Sequence, residues 1–183
     1  LGQLNRVFML EGNAQSSQMS DLHELIEESK RQVCSYFAGD SNRLFFTSGA
    51  TESINTLIIG AAEFYSRSGQ QIITFETEHS STLAAVEHLK DQGFTVDVMP
   101  VMQNGCIDYS ELEKKLSHDT LLITVNHVCN ETGLVQDLEP LFAMRDRYGF
   151  MVHIDACQTI GKAPFSIQRY PADYISFSAH KCH

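Results

Sequence analysis

The sequence predicts an α/β fold of three layers, with helices packed on a mostly parallel central sheet. From about Arg43 onward, short apolar runs alternate with segments of helical periodicity, the pattern of a parallel sheet with crossover helices. The chain has 183 residues, 43% of them hydrophobic and 20% charged, which suits one domain with a substantial core. No repeat, linker or low-complexity stretch interrupts the alternation, so a single domain spanning 1–183 is expected.

The elements follow in order. Leu22, Leu25, Ile26, Ser29, Val33 and Phe37 have helical spacing, with Ser20 as a candidate cap. Arg43 to Thr47 reads as a short buried strand. Ile54, Leu57, Ile58, Ala61, Ala62 and Tyr65 mark one face of an amphipathic helix. Gln71 to Phe75 is strand-like, and a helix follows over Thr82 to Asp91 with Gly93 closing it. Strand returns at Phe94 to Met99, and Asn104-Gly105 signals a turn. A short helix carries Leu112 and Leu116, and Leu121 to Asn126 is an apolar strand. Leu138, Leu141, Phe142 and Arg145 fit a helix ending near Tyr148-Gly149. Phe150 to Ile154 and Tyr174 to Phe177 complete the strands.

Composition narrows the partners. A net charge of -10 argues against nucleic acid or an anionic membrane surface. A phosphate ligand stays open, because helix N-termini bind phosphate without local cations. No segment approaches the ~20 apolar residues that span a bilayer. The N-terminus lacks both a signal-peptide progression and an initiator methionine, so the first residues are expected to be missing. Cys34, Cys106, Cys129, Cys157 and Cys182 are odd in number and form no C-x-x-C pair, which points to a reduced, cytoplasmic protein. These cysteines and His127, His153 and His183 match no common zinc spacing, so no metal is expected.

Polar clusters fall where the strands end. Ser48 to Ser53, Glu78-His79, His127 to Gly133, Asp155 to Gln158 and Ser178 to Lys181 each follow a strand-like run. Ligands of parallel α/β sheets gather at the carboxyl ends of the strands. Each cluster suits one part of pyridoxal 5′-phosphate. Gly49, Ala50 and Thr51 open a helix whose N–H groups can meet a phosphate, with Ser178 and His180 beside it, although Thr51 equally reads as a cap. Asp155 can pair with the pyridine nitrogen. Gln158 and Asn130 can reach the ring oxygen, and His79 can stack on the ring or shuttle a proton. Lys181 can carry the aldehyde as a Schiff base.

At these residues the chain resembles a known family. The stretches TSGATESIN (Thr47 to Asn55), TEHSSTL (Thr77 to Leu83), NGCIDYSELE (Asn104 to Glu113), HVCNETGLVQD (His127 to Asp137), HIDACQTIGK (His153 to Lys162) and SFSAHK (Ser176 to Lys181) are similar to those of the NifS/IscS-type cysteine desulfurases. These belong to the class V aminotransferase group of fold-type I pyridoxal phosphate enzymes. Gly12 to Ser17 also resembles the family's early GNPSS segment. The GATES form of the first motif favours the NifS/IscS branch over the SufS branch.

The resemblance implies a fold-type I large domain, truncated, with its N-terminal segment and C-terminal small domain absent. It implies Lys181 as cofactor lysine and catalytic base, with His79 as the second catalytic residue. Ala50, Thr51, Ser178, Ala179 and His180 match phosphate-side positions, and Asn130, Asp155, Gln158 and His79 match ring contacts. It implies L-cysteine as substrate, alanine and an enzyme persulfide as products, a homodimer, and a sulfur-acceptor protein serving iron–sulfur cluster or tRNA thiolation pathways. Cys129 and Cys157 depart from the family, which commonly has other polar residues there. None of the five cysteines matches the family's nucleophile, so this chain alone is expected to be inactive. Two alternatives remain: a catalytically dead remnant that binds or dimerises, and another class V aminotransferase or lyase.

Overall fold

The computed structural model of the protein describes residues 16–37 and 39–182, the side chains of 16–20 and 36 excepted. It divides into two compact units, Leu1–Phe46 and Thr47–His183.

In the first unit, helix α1 (Ser16–Phe37) carries Glu27–Lys30 and Glu28–Arg31 ion pairs at helical i,i+3 spacing. Ser20 lies inside this helix rather than capping it. A 3₁₀ turn follows at Ser41–Arg43, capped by Asp40, whose carboxylate accepts the Asn42 N–H at 2.9 Å. The strand expected over Arg43 to Thr47 does not form. The turn takes the Arg43 and Leu44 N–H groups back to Asp40 and Ser41, removing them from any ladder. Phe45 and Phe46 are left 76% and 55% exposed instead of buried.

The second unit holds a five-stranded sheet. Its strands are β1 (Gln71–Phe75), β2 (Thr95–Met99), β3 (Thr120–Asn126), β4 (Met151–Asp155) and β5 (Tyr174–Ser176). They run in the order β2-β1-β3-β4-β5, all parallel. β1 and β3 are buried along their whole length, as strands covered on both faces must be, and their sequences are mostly apolar, with Gln71, Thr74, Thr120, Thr124 and Asn126 as buried polar exceptions. β2 lies at the edge and is only partly covered, with Thr95 and Val98 exposed and Met99 buried.

The helices are α2 (Ala50–Phe64), α3 (Ser80–Asp91), α4 (Tyr109–Lys115) and α5 (Glu139–Tyr148). Ile54, Ile58 and Ala62 of α2 pack with Ala85, Val86 and Leu89 of α3 over Ile72 and Leu122 of the sheet. This is the apolar face that the spacing predicts; Tyr65, expected on it, sits at the helix end and is 39% exposed. The step from β1 to β2 runs one way across the sheet and the step from β2 to β3 runs back. With right-handed crossovers, that reversal puts α3 and α4 on opposite faces and gives three layers. Leu112, Leu138 and Leu141, all fully buried, fill the second face. Gly149 ends α5 in the left-handed region at φ 82°, where its lack of a Cβ removes the steric penalty. The same reversal makes the gap between the carboxyl ends of β1 and β3 a topological switch point, the usual place for a ligand in such sheets. Among the described residues no helix is long and apolar enough to cross a membrane.

Candidate active site

The second unit contains a cavity of about 430 Å³ at the carboxyl ends of the strands. One wall is the N-terminus of α2. Gly49 precedes the helix with no side-chain cap, and a Cβ built on it would meet nothing within 4 Å, so the space in front of the first turn is open. Ala50 and Thr51 follow and line the cavity. Thr51 is not the cap; it stands one residue inside the helix. The loop is instead closed by Glu52, whose Oε2 accepts the Ser48 N–H at 2.6 Å, and these hydrogen bonds hold its carboxyl below the usual range. The unpaired N–H groups of this turn and the helix dipole make a site for an anion.

The remaining walls come from strand ends. His79 caps α3: its Nδ1 accepts the Ser81 N–H at 3.2 Å and lies 2.7 Å from Ser81 Oγ, which fixes the ring. Asn126 ends β3 and lines the cavity, as does Asn130 in the loop beyond it. Asp155 ends β4, is 6% exposed, and its Oδ1 accepts the Cys157 N–H at 2.9 Å. Gln158 lies one turn on, with its Oε1 accepting from Lys162 at 2.7 Å. Beyond β5, buried Ser178 pairs through Oγ with His180 Nδ1 at 2.8 Å. Lys181 and His180 line the same cavity from a 3₁₀ turn that spans Ala179–Lys181. Ala179 belongs to that turn but does not line the cavity itself.

The sequence reasoning missed several cavity residues. Asn126 was readable as a polar residue closing an apolar run, and Glu52 and Ser81 as capping partners of named residues. Cys157 also faces the cavity; burial and then the Asp155 carboxylate push its thiol strongly up, which keeps it protonated. Below the cavity, His153 lies inside the sheet. Its Nδ1 is 2.7 Å from Thr124 Oγ1 and its Nε2 is 3.0 Å from Ser176 Oγ. Burial lowers its pKa to about 4, so it is neutral and structural at neutral pH. Among the described residues no group of three or more His, Cys, Asp or Glu side chains could hold a metal ion.

The arrangement joins an anion cradle, a buried carboxylate, ring-sized space beside a fixed imidazole, and a primary amine. Such a donor set fits the chemistry of pyridoxal 5′-phosphate.

Comparison with known proteins points the same way. The cysteine desulfurase IscS of Buchnera aphidicola subsp. Acyrthosiphon pisum (strain 5A) is 39% identical over 158 residues, 86% of this chain and 39% of the relative. A solved NifS-like protein superposes with TM-score 0.86 at 35% identity, over 92% of this chain and 47% of that one. SspA, solved in complex with cysteine, superposes with TM-score 0.85 at 27% identity, over 92% of this chain and 49% of that one. The chain thus spans about two fifths of the curated relative and half the solved chains. The model of the class-V aminotransferase family matches residues 4–183, nearly the whole sequence. On that match, the chain belongs to the class-V aminotransferase family.

Proposed function

We propose that the chain is the large domain of a cysteine desulfurase, with pyridoxal 5′-phosphate as cofactor and L-cysteine as substrate. The observation that carries this reading is the meeting of Lys181, Asp155 and the α2 N-terminus around one cavity. The cysteine desulfurase names of the relatives and the cysteine bound to SspA support the choice of substrate.

When bound, the cofactor supplies an electron sink for the electrons released at the substrate α-carbon. The protein's part is positioning and proton handling. Gly49, Ala50, Thr51, Ser178 and His180 hold the phosphate end, and Ala179 belongs to the turn that carries His180 and Lys181. Asp155 would pair with the ring nitrogen. Asn130 and Gln158 orient the ring edge, and His79 covers its face. Lys181 anchors the cofactor, and its Nζ takes the α-proton of the substrate. Sulfur then passes from the substrate Sγ to a thiol, leaving alanine and a persulfide. We assign that thiol to a cysteine other than the five present here: among the described residues Cys157 alone of them lines the cavity, and burial holds its thiol up. A homodimer, a sulfur-acceptor protein for iron–sulfur or tRNA thiolation, and a cytoplasmic location complete the reading; the free cysteines fit a reducing compartment.

Titration of the chain with pyridoxal 5′-phosphate tests this. A visible absorbance band is expected with the native chain and not with Lys181→Ala. The chain by itself should release no sulfide from L-cysteine. A band that survives Lys181→Ala refutes the lysine assignment. Sulfide release by the chain alone refutes the assignment of the nucleophile. Keto-acid formation instead of alanine by the whole enzyme would favour an aminotransferase.

A further inference from the structure

Glu78 is absent from the cavity wall, yet among the described acids it is buried, with its carboxyl pKa pushed well up. It is 6% exposed and its carboxyl is buried. Oε1 accepts the backbone N–H of Asn126 at 2.5 Å, whereas the buried Oε2 has no hydrogen-bond partner. Asn126 returns the contact through its side chain, whose Nδ2 donates to Thr77 O at 2.6 Å. Two reciprocal hydrogen bonds therefore tie the loop after β1 to the last residue of β3. Asn126 is the cross-strand partner of Asp155, and the next residue, His127, donates its N–H to Asp155 O at 3.1 Å. The line Glu78–Asn126–Asp155 thus joins three strand ends beneath the cavity.

The ionisable groups that act on the Glu78 carboxyl are Asp155 and Cys129, neither of them a cation. A buried carboxylate with one hydrogen bond and no counter-charge is very costly, so the group keeps its proton. Burial raises its pKa well above the ordinary carboxylate value, and the nearby Asp155 charge raises it further. Among the described residues Thr82 Oγ1, four residues on in the first turn of α3, is likewise buried without a hydrogen-bond partner.

We propose that Glu78 is a positioning residue for Asp155: as a neutral acid it locks the ends of β1, β3 and β4 together without adding a second negative charge beside that carboxylate. This rests on the reading of the cavity as the pyridoxal phosphate site. An ionised Glu78 would set a second negative charge against Asp155 and repel it from its place at the strand end. A neutral one adds no such repulsion.

The test compares the native chain with Glu78→Gln and Glu78→Ala. Cofactor affinity and the pH titration of the Lys181-dependent band are measured, together with the infrared C=O stretch of protonated carboxyl groups. Glutamine keeps an acceptor for the Asn126 N–H and carries no charge. Its cofactor affinity should stay within about twofold of native and its band should titrate at the same pH. Alanine leaves the buried N–H unpaired and should weaken cofactor binding by roughly tenfold. At neutral pH a protonated-carboxyl band should be present in the native chain and lost in Glu78→Gln.

A shifted titration in Glu78→Gln, or a native spectrum without that infrared band, overturns the proposal. So does a Glu78→Ala chain that binds cofactor like the native one. Should Glu78→Ala fail to fold, the glutamine titration and the infrared band decide. A native chain with no Lys181-dependent band removes the functional reading and this proposal with it; a native band with a shifted Glu78→Gln titration removes this proposal alone.

Discussion

Acid should destabilise this fold through His153, and the size of the effect follows from its surroundings. The side chain is fully buried on β4, held by Thr124 on one side and Ser176 on the other. Its pKa is about 4 when folded and 6.5 as the reference value for an exposed histidine. A base with a lowered folded pKa binds more protons when unfolded, so stability rises with pH across the interval between the two values. The contribution is complete above the unfolded value and is lost as pH falls toward the folded one. The gap corresponds to roughly 3 kcal/mol between pH 7 and pH 4. His153→Gln removes the titrating group while keeping a donor and an acceptor between the two hydroxyls. Urea midpoints measured from pH 7 to pH 4 should fall less steeply for the variant, with a difference approaching roughly 3 kcal/mol after conversion with the urea slope. Parallel curves for the two proteins would refute the argument. His127, whose pKa burial also lowers, titrates in both and cancels in the comparison.

Two further outcomes test the packing of the sheet. A Cβ on Gly69 would stand 2.6 Å from the carbonyl oxygen of Asp119, which accepts the N–H groups of Gln70 and Gln71 where β1 and β3 begin. Gly69→Ala should therefore cost about 1–3 kcal/mol in urea unfolding, and a stabilised variant would show that the contact yields freely. Leu122 is fully buried in the cluster joining α2, α3 and the sheet, so Leu122→Ala should cost about 3–5 kcal/mol. A loss below 1 kcal/mol would mean that this part of the core is loosely packed.

The sequence by itself determined the elements whose signal is local. Ile54, Ile58, Ala61 and Ala62 recur with the helical period because one face of α2 must be covered, and all four are buried. Leu121 to Asn126 is mostly apolar because β3 is covered on both faces. His79, Asn130, Asp155, Gln158, Ser178 and Lys181 were legible as site candidates because a parallel sheet brings its strand ends to one rim. What depends on partners distant in the chain was not legible. Arg43 to Thr47 has strand-forming composition, but a strand exists only where a neighbour takes its hydrogen bonds, and the Asp40-capped turn redirects them. Glu78 looks like an ordinary acid beside a histidine. Its burial against Asn126, 48 residues away, is what makes it neutral and structural. Likewise, the sequence set His153 aside as a metal ligand but gave it no other role, and only the approach of Thr124 and Ser176 from neighbouring strands makes it a neutral bridge inside the sheet. Periodicity fixes which face of an element is covered; solvation and pairing, which set charge and hydrogen bonding, are fixed only when the strands assemble.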